Sequence, residues 1–288
     1  MADTSCVFAL LCPALDPCVA NEIPPPSDAA VYCKGQYLRM EFIRRWLCTA
    51  MELFFLARRL GNYHRAVQEM SNKQGARDAK AVLIWVNKYG ARFPNQSSAD
   101  LIREFGNEIL RFARSYDKAF SITVSPYTGC KRGEVEFQHD MPTVAAMLRD
   151  FYKRFQEEDH TCRLSKIVTN DPAGRSCLSA ILNANPKDYD ERSRRGLRAL
   201  MKDAHAFIAK DATPSCKTCH KIGDILIALE QPKDCVLYHT DHAFLALCPI
   251  LGKENVSLAK FKLAKGIHDA VEDAATAMPG DQPPPEDI

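Results

Sequence analysis

Two apolar runs within residues 216 to 244, CKTCHKIGDILIALEQPKDCVLYHTDHAF, limit what this chain can fold into more than any other stretch. The run Ile225-Leu226-Ile227-Ala228-Leu229 has no polar face, so it reads as the start of a buried helix. Val236-Leu237-Tyr238, bounded by a Pro232-Lys233-Asp234 turn, reads as a buried strand. Asp224 opens the helix and Asp241 follows the strand. An acid at the carboxyl end of a buried strand lies where open α/β sheets hold their ligands, and the two aspartates would then share one site. The alternative is local: Asp224 caps its helix and Asp241 belongs to an ordinary turn.

At 288 residues the chain has room for one large domain, or for a core domain carrying a substantial insertion. The formal net charge of +2 gives no broad basic field, so any nucleic-acid contact must be local. Twelve cysteines lack the dense, regular spacing of a small secreted scaffold. The stretch CVFALLCPAL has Asp3 before it and no Lys or Arg, the wrong flank for export. No apolar run approaches the roughly 18 residues of a membrane span. A soluble cytoplasmic protein with mostly reduced thiols, no membrane association and an oligomeric state left open is expected.

Taken in order, residues 1 to 33 read as strand, short helix, Pro-rich loop and strand. Only Met1 and Ala2 precede Asp3, so the first strand is very short or the start lies downstream of the true one; Asp16, followed by Pro17, is the substitute candidate. From Gln36 to Met70 the apolar spacing is helical, with a break at Gly61-Asn62. Further helices are expected over 77 to 90, over 98 to 119 behind a Ser97-Ser98 cap, from Pro142 to Phe155 and from about Asp190 to Lys210. SITVSPYTGCKRGEVEFQ alternates with period two and predicts a hairpin, and residues 160 to 190 read as loop. The end, MPGDQPPPEDI, cannot pack a core and is expected to be disordered.

Four short patches in sequence resemble PIN-domain nucleases: ADTSCVFALL at residues 2 to 11, VYCKGQYLRMEFIRR at 31 to 45, Gly223-Asp224, and Thr240-Asp241. The resemblance implies an α/β fold of three layers around a central, mostly parallel sheet. It also implies an acidic site of Asp3, Glu41, Asp224 and Asp241 holding Mg²⁺ or Mn²⁺. Glu41 also lies one turn before Arg44 and Arg45, where a solvated ion pair is the plain alternative. Converging carboxylates would force protonation unless a cation compensated them, and hard cations take carboxylate oxygens and retain waters that dock a phosphate. Thr4, Ser5 and Thr240 are candidate hydroxyls that orient these acids. Arg39, Arg44, Arg45 and the group Arg192, Arg194, Arg195 and Arg198 are candidates for the nucleic-acid backbone, or else solvated helix faces.

Cys216 and Cys219 form a Cys-x-x-Cys pair followed by His220. The pentapeptide matches covalent haem attachment, and the Cys pair by itself reads as a dithiol redox motif, as half of a structural zinc site, the strongest of the three, or as ordinary free thiols. In the zinc reading Cys130 and Cys162, with Cys177 as a further candidate, supply the remaining ligands. The expected organisation is a first PIN-like part over 1–120, a Cys-containing helical insertion over 121–204, a second PIN-like part over 205–262 and a C-terminal extension over 263–288. The function implied is a metal-dependent endoribonuclease, a toxin or phage-defence effector whose partner would be an antitoxin or another defence protein. Two further readings stay open: a catalytically silent module binding RNA or protein, and another phosphoryl-transfer or hydrolytic enzyme using the same metal.

Overall fold

A computed structural model describes residues 1, 23, 32–72, 86, 95–122, 131–157, 168, 170–209 and 222–258. Helix accounts for 73% of this described region, which overturns the expected three-layer α/β fold. Its strands are β1 (Tyr32–Lys34), β2 (Phe120–Ile122), β3 (Leu237–His239) and β4 (Asn255–Ser257), three residues each. They form two separate parallel pairs, β1 with β2 and β3 with β4, rather than one central sheet. The physical reason is that most of the buried apolar side chains recur at helical spacing, and the ladders are too short to dominate.

Helix α1 (Gln36–Phe42) passes through a π-helical turn (Ile43–Leu47) into α2 (Cys48–Leu60), making one continuous rod. Gly61 stops it at φ 62°, a left-handed position that suits glycine, as the Gly61-Asn62 break anticipates. Asn62 then starts α3 (Tyr63–Asn72) by accepting the Arg65 backbone N–H through Oδ1 at 2.9 Å. Helix α4 (Ser98–Ala119) opens on the Ser97 hydroxyl, which accepts from the Asp100 N–H. Phe42 of α1 stacks on Tyr116 of α4 at 4.0 Å between centroids, and Tyr63 meets Phe105 edge-on at 5.8 Å. These aromatic contacts seal the first helical layer.

Two expectations for the middle of the chain are corrected. The hairpin does not form in the described residues: β2 pairs in parallel with the distant β1, and Lys131–Glu134 is a 3-10 turn. Alternation marks a strand but not its partner. Within the stretch read as loop lies α6 (Pro172–Asn183), which follows α5 (Val144–Glu157). Asp171 caps α6 by accepting the Gly174 N–H at 2.8 Å, with Pro172 at the first helical position. That Asp-Pro start was a readable signal. Apart from helical Val86, the helix expected over 77 to 90 lies outside the described residues.

Helix α7 (Glu191–Ala209) matches the expected helix and runs across the 204/205 boundary drawn from sequence. Helix α8 (Gly223–Glu230) is buried along nearly its whole length, as its all-apolar run requires, and packs on α1. The Lys253 ammonium donates to the Leu229 carbonyl at 3.1 Å, to that of Gln231 at 2.6 Å, and to that of Ala228. These contacts satisfy the orphan carbonyls at the end of α8. Strand β3 follows, then α9 (Ala243–Ile250) and β4. Met1 lies along β3: its amino group donates to the Val236 carbonyl at 2.7 Å, and the Tyr238 N–H donates to its carbonyl at 2.8 Å.

Candidate functional site at the end of strand β3

Strand β3 delivers Thr240 and Asp241 into the turn before α9. Thr240 is buried, whereas Asp241 is exposed and accepts the Ala243 N–H through Oδ1 at 2.9 Å. One oxygen of Asp241 thus does local capping work, consistent with its helix-start position. His239, the last residue of β3, is buried, with Nε2 3.0 Å from Asn255 Oδ1 of β4, which locks the two strands in register.

Asp224 sits half-buried in the first turn of α8, where a carboxylate complements the helix dipole. Its neighbour Gly223 leaves room for the Tyr37 ring: a Cβ there would fall 2.6 Å from the Tyr37 hydroxyl. Glu41 lies on α1, one turn beyond Tyr37, with its carboxylate 3.4 Å from Arg45 and 4.0 Å from Arg44. The local ion pair foreseen for Glu41 therefore exists. Glu41 and Asp224 are carried by two helices that pack together.

Among the described residues, no three His, Cys, Asp or Glu side chains form a group that could hold a metal ion. Asp3, the first member of the expected acidic set, lies outside them, as do Thr4, Ser5 and Asp16. So do Cys130, Cys162, Cys216, Cys219 and His220 of the cysteine motif. Cys177 is described, on the inner face of α6, where burial pushes its thiol up to about 12. That is the setting of a core thiol.

The arginine expectations divide. Arg39 is a core residue: its guanidinium donates to the carbonyls of Gly133 at 2.5 Å and Val135 at 2.9 Å and to Asp117 at 3.1 Å. It cannot track a nucleic-acid backbone. On α7, Arg194 and Arg195 pair with Glu191 at 3.5 and 3.0 Å, while Arg192 and Arg198 are exposed. Gly196 presses this helix against the Asp241 turn, since a Cβ there would fall 2.5 Å from the His242 carbonyl oxygen. An arginine-bearing helix therefore abuts the turn that presents the exposed acid.

Two buried polar clusters among the described residues, around Lys34–Asp117 and around Glu230, were not singled out from the sequence. Lys34 is 1% exposed and pairs with Asp117 at 2.5 Å, with its ammonium 4.4 Å from the Tyr116 ring centre. Burial holds the Lys34 pKa below its ordinary value against the pull of Asp117. Burial would raise Asp117, but Arg39 and Lys34 together keep its carboxyl below the usual range. The second cluster centres on Glu230 at the end of α8, whose Oε1 accepts the Tyr37 N–H at 2.9 Å. Burial pushes Glu230 up to about 8, outweighing the Tyr37, Leu38 and Gln36 backbone N–H groups that favour its charge. Neither cluster has a local motif that could have announced it.

Comparison with protein-family models, with curated proteins and with solved structures finds no match. Among the described residues, no helix is long and apolar enough to cross a membrane.

Proposed function

We propose that the chain is a metal-dependent endoribonuclease acting at the carboxyl end of β3. The observation that carries this reading is the position of Asp241. It is an exposed carboxylate where a parallel strand ends, beside a turn against which the arginine-bearing α7 is pressed. Phosphate groups are met mainly by Arg and Lys, and α7 carries four arginines. The order of acids along the chain, which resembles that of PIN-domain nucleases, supports the same reading.

The donors are chemically suited to Mg²⁺ or Mn²⁺, since all are carboxylate oxygens. Asp241 and Asp3 would hold the ion, with Glu41 and Asp224 completing the site directly or through water. Glu41, Asp224 and Asp241 form no group of three among the described residues that could hold a metal ion, and Asp3 lies outside those residues. A bound ion would supply a more nucleophilic water and neutralise a phosphate oxygen. The remaining work belongs to the protein: the Ala243 N–H fixes the Asp241 carboxylate, and Arg192 and Arg198 on the exposed side of α7 are available to the RNA backbone.

The pairing of Glu41 with Arg44 and Arg45 favours a second reading, a catalytically silent module that binds RNA or protein. An RNA-cleavage assay over a Mg²⁺ and Mn²⁺ titration, run on wild type and Asp241→Asn, separates the two. Cleavage that needs the metal and is lost in the variant is expected. Equal cleavage by both proteins, or cleavage undiminished by chelator, rejects the metal mechanism. A wild type that binds RNA without cutting it establishes the silent module.

A further inference from the structure

Cys33 of β1 and Cys235, two residues before β3, bring their Sγ atoms to 3.0 Å although they are 202 residues apart in sequence. Neither is in a disulfide, and both are partly exposed. The other described thiols, Cys48, Cys177 and Cys248, are buried. The pair stands where the two parallel strand pairs approach each other, and the backbone on its Cys235 side is fixed. The Gln231 amide donates to the Cys235 carbonyl at 2.6 Å, and the Cys235 N–H donates to Pro232 at 3.2 Å. Four residues beyond Cys33, the Tyr37 N–H is bound to Glu230, five residues before Cys235. Two contacts thus hold the same two segments alongside each other, and the sulfurs need approach by only about 1 Å to reach bonding distance.

We propose that Cys33 and Cys235 form a reversible disulfide by exchange with a small disulfide of the glutathione type, making this pair a redox modification site of the protein. A thiolate of the pair attacks one sulfur of the small disulfide, forming a protein–glutathione bond and expelling one glutathione thiolate. The second cysteine loses its proton to solvent and attacks the protein sulfur of that mixed disulfide, expelling the second glutathione. Two protein thiols are oxidised, one small disulfide is reduced to two thiols, and two electrons pass between them. The product joins β1 to the turn before β3 across a loop of about 200 residues, which restricts the unfolded chain strongly. Burial, with the neighbouring Cys33 adding to it, pushes the Cys235 thiol up to about 11, so exchange is slow at neutral pH. This inference stands independently of the proposed nuclease activity.

The test incubates the full-length reduced protein overnight with oxidised glutathione at pH 8.5, alkylates the remaining thiols under denaturing conditions and maps peptides by mass spectrometry. A Cys33–Cys235 linked peptide that dithiothreitol abolishes is the expected result. It should be accompanied by a melting temperature about 5 °C higher that returns on reduction. Glutathione carried separately on either residue with no link, either thiol paired with a different cysteine, or both recovered as free thiols overturns the proposal. The mapping needs no variant. As a second measurement, Cys235→Ser should lose both the link and the glutathione-dependent rise in melting temperature.

Discussion

The Glu230 carboxylate accepts the Tyr37 backbone N–H at 2.9 Å, joining the last residue of α8 to the first turn of α1 across 193 residues of sequence. A helix opens with N–H groups that have no partner within it, and Gly35 before α1 has no side chain to cap them. The capping group therefore comes from α8. Burial of this carboxylate disfavours its charged form, and its second oxygen, Oε2, has no hydrogen-bond partner to offset that burial.

Stability should depend on pH through Glu230. Its folded pKa of about 8 lies above the ordinary value of 4.5, so the folded state binds the extra proton between those limits. The stabilisation is fully present below pH 4.5 and is lost as pH rises through about 8, with a slope on the order of 1 kcal/mol per pH unit in between. Glu230→Gln keeps an oxygen for the Tyr37 N–H and cannot ionise. Denaturant melts from pH 5 to 8.5 should show that slope in wild type and a flatter profile in the variant; parallel profiles would contradict it.

Gly35→Ala tests the same junction from the other side. A Cβ at Gly35 would overlap the Glu230 carboxyl, so the acid must be driven from its place. A loss of about 2–4 kcal/mol in urea unfolding is expected, from overpacking and the broken cap together. Combined with Glu230→Gln, the two changes should not be additive, because they act on one contact.

Asp117→Asn should be destabilising out of proportion to its position. Asp117 is 43% exposed, yet it neutralises Lys34, whose side chain is only 2% exposed, and holds the Arg39 guanidinium. Removing its charge takes away the carboxylate that pairs with this buried cation. The expected cost is about 2–4 kcal/mol, at or below the usual figure for breaking a fully buried pair because solvent screens Asp117. The carboxyl is held below its ordinary 3.8, so the wild-type contribution is present above that pH and is lost as pH falls. Acid titrations of wild type and variant should converge at low pH; a constant gap would refute the assignment.

Asp241 has a capping role and a proposed chemical role, and two substitutions separate them. Asparagine keeps the oxygen that accepts the Ala243 N–H, so Asp241→Asn should melt within about 1 °C of wild type while abolishing RNA cleavage. Asp241→Ala loses the cap as well and should be destabilised by about 1 kcal/mol. Retained cleavage in a stably folded Asp241→Asn protein would remove the carboxylate from the chemistry.

Local signals were legible in the sequence, and they were legible because their physics is local. The glycine break at Gly61, the Ser97 cap, the unbroken apolar run of α8 and the short strand before Thr240-Asp241 each depend on neighbours within a turn or two. Partner choice was not legible. Alternation around Phe120 announced a strand but not that it would pair in parallel with Tyr32–Lys34, and no motif tied Glu230 to Tyr37, Asp117 to Lys34 or Cys33 to Cys235. Arg39 and Arg192 look alike as arginines on predicted helices, yet one is a core cation and the other faces solvent. The sequence by itself therefore determined individual helix limits such as the Gly61 stop and the Ser97 start, since capping and periodicity act over a few residues. Only the tertiary structure decided which buried charges compensate one another, because that depends on contacts between segments 80 to 200 residues apart, whose closure entropy is met by the collective burial of the core.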